Sequence, residues 1–198
     1  MNEQSQPIRI GETLPDIGMH IYNPQKDEDE HVKLSEYKGK WKIFLFYPAD
    51  FTFICPTELE EMAEIYDEVV KEGAEVFSVS TDTHFVHKAW HDHSEAIKKV
   101  KYPMVADPTG NICKIFGVYI TAGVDAGLAQ RGTFIVDPDN VLRTIEIHDN
   151  DIGRAAKESL RKLRAAKFVR EHGGEVCPAA WEPGKKTLKP GMDLVGKI

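Results

Sequence analysis

The sequence predicts an α/β fold, a mixed central sheet with helices on both faces, followed by a C-terminal extension. Three observations carry that expectation. Short apolar runs alternate with amphipathic stretches of helical period, a turn-rich tetrapeptide, DPDN, separates two late runs, and periodicity stops at the pair Gly173 and Gly174. The alternation implies β-α-β crossovers and parallel strands at the centre of the sheet. DPDN implies an antiparallel hairpin at one side. The loss of period divides the chain into a domain over 1–172 and an extension over 173–198.

KWKIFLFYP is nearly continuous in apolar residues and closes at Pro48, the pattern of a strand buried on both faces. It runs directly into YPADFTFICPTE. In PTELEEMAEIYDEVVKEG, the residues Leu59, Met62, Ile65, Tyr66, Val69 and Val70 recur at helical spacing, acids crowd the first turns, and Gly73 ends the run. EVFSVSTD then reads as a strand, THFVHKAWHDHSEAIKKV as a helix, PMVADP as a short strand and GNICKIFG as a short helix. RGTFIVDP and VLRTIEIHD flank the hairpin turn. A long helix follows in GRAAKESLRKLRAAKFVREHGG, with an apolar stripe of Ala156, Leu160, Leu163, Ala165, Ala166 and Val169. The tail spaces proline and glycine throughout yet keeps Trp181, Leu188, Met192, Leu194, Val195 and Ile198, so it is expected to dock rather than trail in solvent. No repeat or low-complexity block is visible. This order of elements belongs with thioredoxin-like folds, and a fold by itself assigns no activity.

Composition narrows the function classes. Of 198 residues, 41% are hydrophobic and 29% charged, an ordinary globular balance that argues against disorder. Lys and Arg total 25 against 32 Asp and Glu, a net charge of -7, which disfavours nucleic acid and anionic membranes as partners. The N-terminus lacks a basic segment followed by an apolar one, and no stretch approaches the ~20 apolar residues of a membrane span. A cytoplasmic location is expected. The three cysteines, Cys55, Cys113 and Cys177, cannot all pair within one chain, and no C-x-x-C pair or zinc-type spacing accompanies them. Redox or nucleophilic use remains open.

Cys55 carries the strongest chemical signal. It falls just past the end of the apolar strand and at the start of a helix, the crevice where open α/β sheets place ligands. Free N–H groups and the positive dipole end of a helix favour the thiolate, which is the nucleophile. Pro56 suits the first turn and Pro48 stiffens the approach. Thr52, three residues earlier, has a hydroxyl able to accept from the thiol and donate to an oxygen-bearing substrate. A nearby cation strengthens the preference for thiolate. Arg131, at the start of RGTFIVDP, is the best source, Arg154 is a second, and Glu58 can orient either guanidinium through a bidentate contact.

Pro48, Thr52 and Cys55 match the P-x-x-x-T-x-x-C pattern of peroxiredoxins. With Arg131 and EVCPA, nearly the whole chain resembles the typical two-cysteine group of that family. More narrowly, STDTHFVHKAWH and the ending MDLVGKI are similar to the peroxidase subunits of bacterial alkyl hydroperoxide reductases. The resemblance implies that Cys55 attacks the peroxide O–O bond and becomes a sulfenic acid, and that Cys177 of the partner subunit resolves it as an intermolecular disulfide. It implies that Pro48, Thr52 and Arg131 shield and polarise the peroxide. A flavoprotein disulfide reductase subunit or thioredoxin is then the reductant, the homodimer assembles into a decamer, and no cofactor or metal is required. Family members prone to over-oxidation carry a Gly-Gly-Leu-Gly loop and a C-terminal Tyr-Phe pair. Here the loop reads DAGLAQ and the chain ends VGKI, so relative resistance to over-oxidation is expected. The alternative is an oligomeric redox-regulated chaperone or peroxide-signalling module. A thioredoxin-type reductase is disfavoured because its C-x-x-C pair is absent.

Two further groups are weighed against plainer roles. Cys113, in GNICKIFG, is read as helix-face packing. His84, His87 and His91 fall at i, i+3 and i+7, with Asp92 and His93 nearby, a spacing able to bind zinc; a solvated helix face is the favoured reading.

Overall fold

The computed structural model describes residues 6–197. Ile198 of the expected docking tail lies outside them. The chain forms two compact units, one through Ala156 and the other from Lys157 onward.

In the first unit a seven-stranded sheet runs in the order β2-β1-β5-β4-β3-β6-β7. Its centre is β3 (Trp41–Phe46), β4 (Ala74–Ser80) and β5 (Met104–Ala106), mutually parallel and linked through α1 (Cys55–Lys71) and α2 (His84–His93). Both faces of β3 are covered, since all six residues are buried, which is what its unbroken apolar run requires. Its one charge, Lys42, is satisfied by donating to the Asp137 carbonyl at 3.0 Å and the Asn140 side chain at 2.5 Å, and burial lowers its pKa to about 8. That lysine thereby ties the strand to the DPDN turn. β6 (Arg131–Val136) and β7 (Leu142–His148) form the expected antiparallel hairpin, and β6 lies antiparallel beside β3 with Phe46 opposite Gly132.

The sequence reading did not include the strand pair at the other edge. β1 (Gly18–Asn23) and β2 (Glu28–Lys33) form a hairpin, and β1 adds antiparallel to β5. β2 reads EDEHVK, a charged edge whose pairing comes from its neighbours rather than from apolar alternation. The helix read over THFVHKAWHDHSEAIKKV is also shorter than its period suggests. Ser94 turns to φ -108, ψ 121 and ends α2, and a single 3-10 turn resumes at Ile97–Lys99. Its hydroxyl accepts from the Ile97 N–H at 3.4 Å, the local bond by which serine competes with a continuing helix. α3 (Asn111–Phe116) buries Ile112, Cys113 and Phe116 against a core that includes Phe44, Phe46 and Phe134.

The second unit contains nearly all of α4 (Ala156–Glu171) and the tail. The tail folds back on itself: Val176 and Leu188 exchange both backbone hydrogen bonds, Trp181 is buried, and its indole N–H donates to the Lys185 carbonyl. Arg161 of α4 donates to the Trp181 carbonyl at 3.1 Å. Among the described residues no helix is long and apolar enough to cross a membrane.

Candidate active site

Cys55 is the first residue of α1, and its side chain is fully buried. Pro56 takes the next position, where its missing N–H leaves no helical bond unmade. The register of β3 with β6 brings Arg131, one residue beyond the Phe46–Gly132 pair, to the end of β3 from which the Cys55 segment departs. Arg131 Nη1 donates to Cys55 Sγ at 3.4 Å and to Glu58 Oε2 at 2.7 Å, while its Nε donates to the Asn150 carbonyl at 2.8 Å. One guanidinium is thus fixed on three sides.

Glu58, one turn along α1, joins both arginines. Arg154 approaches it as a fork, with Nε on Oε1 at 2.8 Å and Nη2 on Oε2 at 3.0 Å; its backbone N–H reaches Oε1 at 2.8 Å and its Nη1 reaches Thr133 Oγ1 at 3.2 Å. All three charged side chains are buried. Burial alone raises a carboxyl pKa, yet the hydrogen bonds and charge of Arg154, with Arg131 behind them, hold Glu58 below its ordinary range. Burial opposes the charge of Arg131 in turn, and its contacts with Cys55 and Glu58 hold its pKa above the usual arginine value. Two guanidiniums and one carboxylate leave one positive charge in the cluster. That charge lies against Cys55 Sγ through Arg131 Nη1.

The loop before Cys55 is braced separately. Pro48 is buried, and Thr52 Oγ1 donates to the Ala49 carbonyl at 2.9 Å. The sequence reading let the Thr52 hydroxyl both accept from the thiol and donate to substrate; here its proton is donated to the Ala49 carbonyl. Phe51 adopts φ 55, a left-handed conformation that costs an aromatic residue on the order of 1–2 kcal/mol. It persists because Asp50 is anchored on every side. Tyr47 donates to Asp50 Oδ1 at 2.7 Å, His87 Nδ1 lies 2.7 Å from Asp50 Oδ2, and the Asp50 N–H donates to Asp82 at 2.8 Å.

Asp50 was not singled out from the sequence, and His87, read as part of a solvated histidine face, is instead buried. His87 is fully buried, with Nε2 3.1 Å from the Val105 carbonyl, so both ring nitrogens face acceptors and one proton is shared with Asp50. Burial disfavours the charged imidazole, but the bond and charge of Asp50 outweigh it and raise the His87 pKa. The available signal was His87 sharing the buried face of α2 with Trp90, three residues on. The histidine row therefore forms no metal site. His91 Nε2 is 3.3 Å from the Val100 carbonyl, His93 Nδ1 is 2.8 Å from the Ala89 carbonyl, and Asp92 accepts from Lys88.

All three cysteines are free. Cys113 is buried in the core, where burial and then the charge of Asp107 push its thiol far up, as suits packing rather than reaction. Cys177, in the second unit, is half-buried, with Sγ 3.8 Å from the Ala165 carbonyl; burial raises its pKa and Arg161 partly opposes the rise.

Comparison with known proteins agrees with this geometry. The AhpC/TSA family pattern matches residues 10–145, and the pattern for the C-terminal domain of 1-Cys peroxiredoxin matches residues 165–195. The chain is 54% identical over 187 residues to alkyl hydroperoxide reductase C of Staphylococcus haemolyticus, covering 94% of this chain and 97% of that one. It is 55% identical to the Staphylococcus aureus protein of the same name over the same shares of the two chains. Among solved structures, Enterococcus faecalis AhpC matches with a TM-score of 0.80 and 47% identity, over 85% of this chain and 98% of that one. Reduced Plasmodium vivax 2-Cys peroxiredoxin matches with a TM-score of 0.86 and 27% identity, over 94% and 96%. A buried cysteine at a helix start, held by an arginine inside a thioredoxin-like sheet, and these matches agree: the chain belongs to the AhpC/TSA family and is a peroxiredoxin.

Proposed function

We propose that the protein reduces hydrogen peroxide and organic hydroperoxides to water and alcohols, with Cys55 as the peroxidatic and Cys177 as the resolving residue. The observation that carries this reading is the 3.4 Å contact from Arg131 to Cys55 Sγ beside the buried Arg131–Glu58–Arg154 cluster. The thiolate attacks one peroxide oxygen, the O–O bond breaks, and the leaving alkoxide or hydroxide takes a proton. Arg131 offers N–H groups to the charge developing on those oxygens, Thr52 accepts from the protonated one, and Pro48 keeps water back. Glu58 and Arg154 act by holding Arg131 in place.

The Cys55 sulfenic acid then condenses with the Cys177 thiol of a second subunit, releasing water and forming a disulfide. A disulfide needs Cα atoms within about 7 Å, and Sγ of Cys55 is fully covered, so the first turn of α1 opens before resolution. In this reading residues 173–198 are the extension that delivers the resolving thiol. A disulfide reductase, flavoprotein or thioredoxin, returns both thiols in the cytoplasm, and dimers assemble into a decamer; both statements follow the family resemblance.

Peroxide-dependent thiol turnover tests the assignment. Cys55→Ser abolishes it and Cys113→Ser leaves it near wild type. Full turnover by Cys55→Ser would contradict the reading, and retained suppression of aggregation by that variant would favour a chaperone role.

A further inference from the structure

The chain has eight histidines, and the described residues sort them sharply. His87, His91, His93, His148 and His172 each set a ring nitrogen against a protein carbonyl or carboxylate. His20 lies with Nε2 2.9 Å from Asp29 Oδ2. His31 and His84 make no hydrogen bond among the described residues, and both rings pack on His20, with centroids 3.9 Å and 3.8 Å away.

The edge hairpin creates this grouping. His20 of β1 stands directly opposite His31 of β2, and Asp29, two residues before His31, projects from the same face. α2 begins beside them with His84. Nδ1 or Nε2 of His20 and His31 and one oxygen of Asp29 all lie within 4.8 Å of one another, and among the described residues no other such histidine, cysteine and carboxylate group occurs.

We propose that His20, Asp29 and His31 form a surface site for a divalent transition ion of the zinc type, remote in chemistry from Cys55. Two imidazoles and one carboxylate suit such an ion and not magnesium or calcium, which take all-oxygen shells. Bonds of 2.0–2.1 Å at tetrahedral angles set the donors roughly 3.3 Å apart. The 2.9 Å nitrogen–oxygen pair opens slightly, and the His31 ring, stacked on His20 at 24°, turns out of the stack to aim a nitrogen at the ion. Water fills the remaining position. A bound ion links the outermost strand, β2, to β1.

The test uses tag-free, chelator-treated, reduced full-length protein titrated with cobalt(II) and back-titrated with zinc(II). One ion per chain is expected, with d–d absorption, no sulfur-to-metal charge transfer, and a melting temperature raised by zinc. His31→Ala, at an exposed position that tolerates truncation, weakens binding about tenfold or more and removes the thermal shift; His20→Ala does the same, and His93→Ala changes neither. Equal affinity in His31→Ala and wild type would overturn the proposal, as would thiolate charge transfer placing the ion on cysteine. Peroxidase activity is read separately and decides neither outcome.

Discussion

Glu58 sets the charge balance beside Cys55, because Arg131 and Arg154 both donate to it in a buried site. Glu58→Gln leaves two buried guanidiniums without their carboxylate, and a loss of about 3–5 kcal/mol is expected in urea unfolding. The same residue gives a pH dependence. Its pKa is lowered on folding, so its contribution is complete above the ordinary value near 4.5 and fades as pH falls through the folded value. Wild type should lose this stability in acid while Glu58→Gln shows a flatter profile; parallel profiles would contradict the assignment. Arg131→Lys keeps the charge but loses the fork that reaches Sγ, Glu58 and the Asn150 carbonyl together. A fall of about 10²–10³ in kcat/KM for peroxide is expected from stopped-flow rates, and a rate near wild type would contradict the role given to the fork. At this scale Cys55, Arg131, Glu58 and Arg154 were legible, because their residue types and helix or strand termini announced the chemistry. The direction of the Thr52 hydroxyl was not, since it depends on a carbonyl three residues back that only the folded loop presents.

The loop and helix that frame the site depend on each other. The strained Phe51 conformation is kept by Asp50, and Asp50 is kept by His87 of α2. His87→Gln should lower kcat/KM with little change in the charge cluster at Glu58. It should also remove a pH effect: a raised histidine pKa gives stability that is full below about 6.5 and lost as pH rises through the folded value. Unfolding midpoints from about pH 6 to about pH 9 decide this, and an alkaline loss that persists in His87→Gln would contradict it. β6 is equally constrained. A Cβ at Gly132 would lie 2.7 Å from Phe134 Cε2 and 2.9 Å from Val118 Cγ1, so Gly132→Ala should cost about 1–3 kcal/mol and displace the adjacent Arg131. The apolar run of β3 and the periodic face of α1 declared themselves because each element's own residues bury it. β1 and β2 did not, since the edge strand is charged and its pairing is supplied from outside. The length of α2 was overread because Ser94 breaks the helix by a local bond that periodicity does not see.

At the scale of the whole molecule, the proposed cycle has Cys55 covered for attack, as it is here, and uncovered for resolution. In the same proposal the resolving thiol is Cys177, half-buried in the second unit. With DAGLAQ in place of a glycine-rich loop, disulfide should outrun sulfinate after a modest peroxide excess. Intact mass dominated by Cys55 sulfinate would contradict that. A two-cysteine cycle across subunits is tested by non-reducing electrophoresis with intact mass, after one equivalent of hydrogen peroxide on wild type, Cys55→Ser and Cys177→Ser. A disulfide-linked dimer is expected in wild type and none in either variant; a monomer carrying an internal Cys55–Cys177 bond, or no disulfide at all, would overturn the cycle.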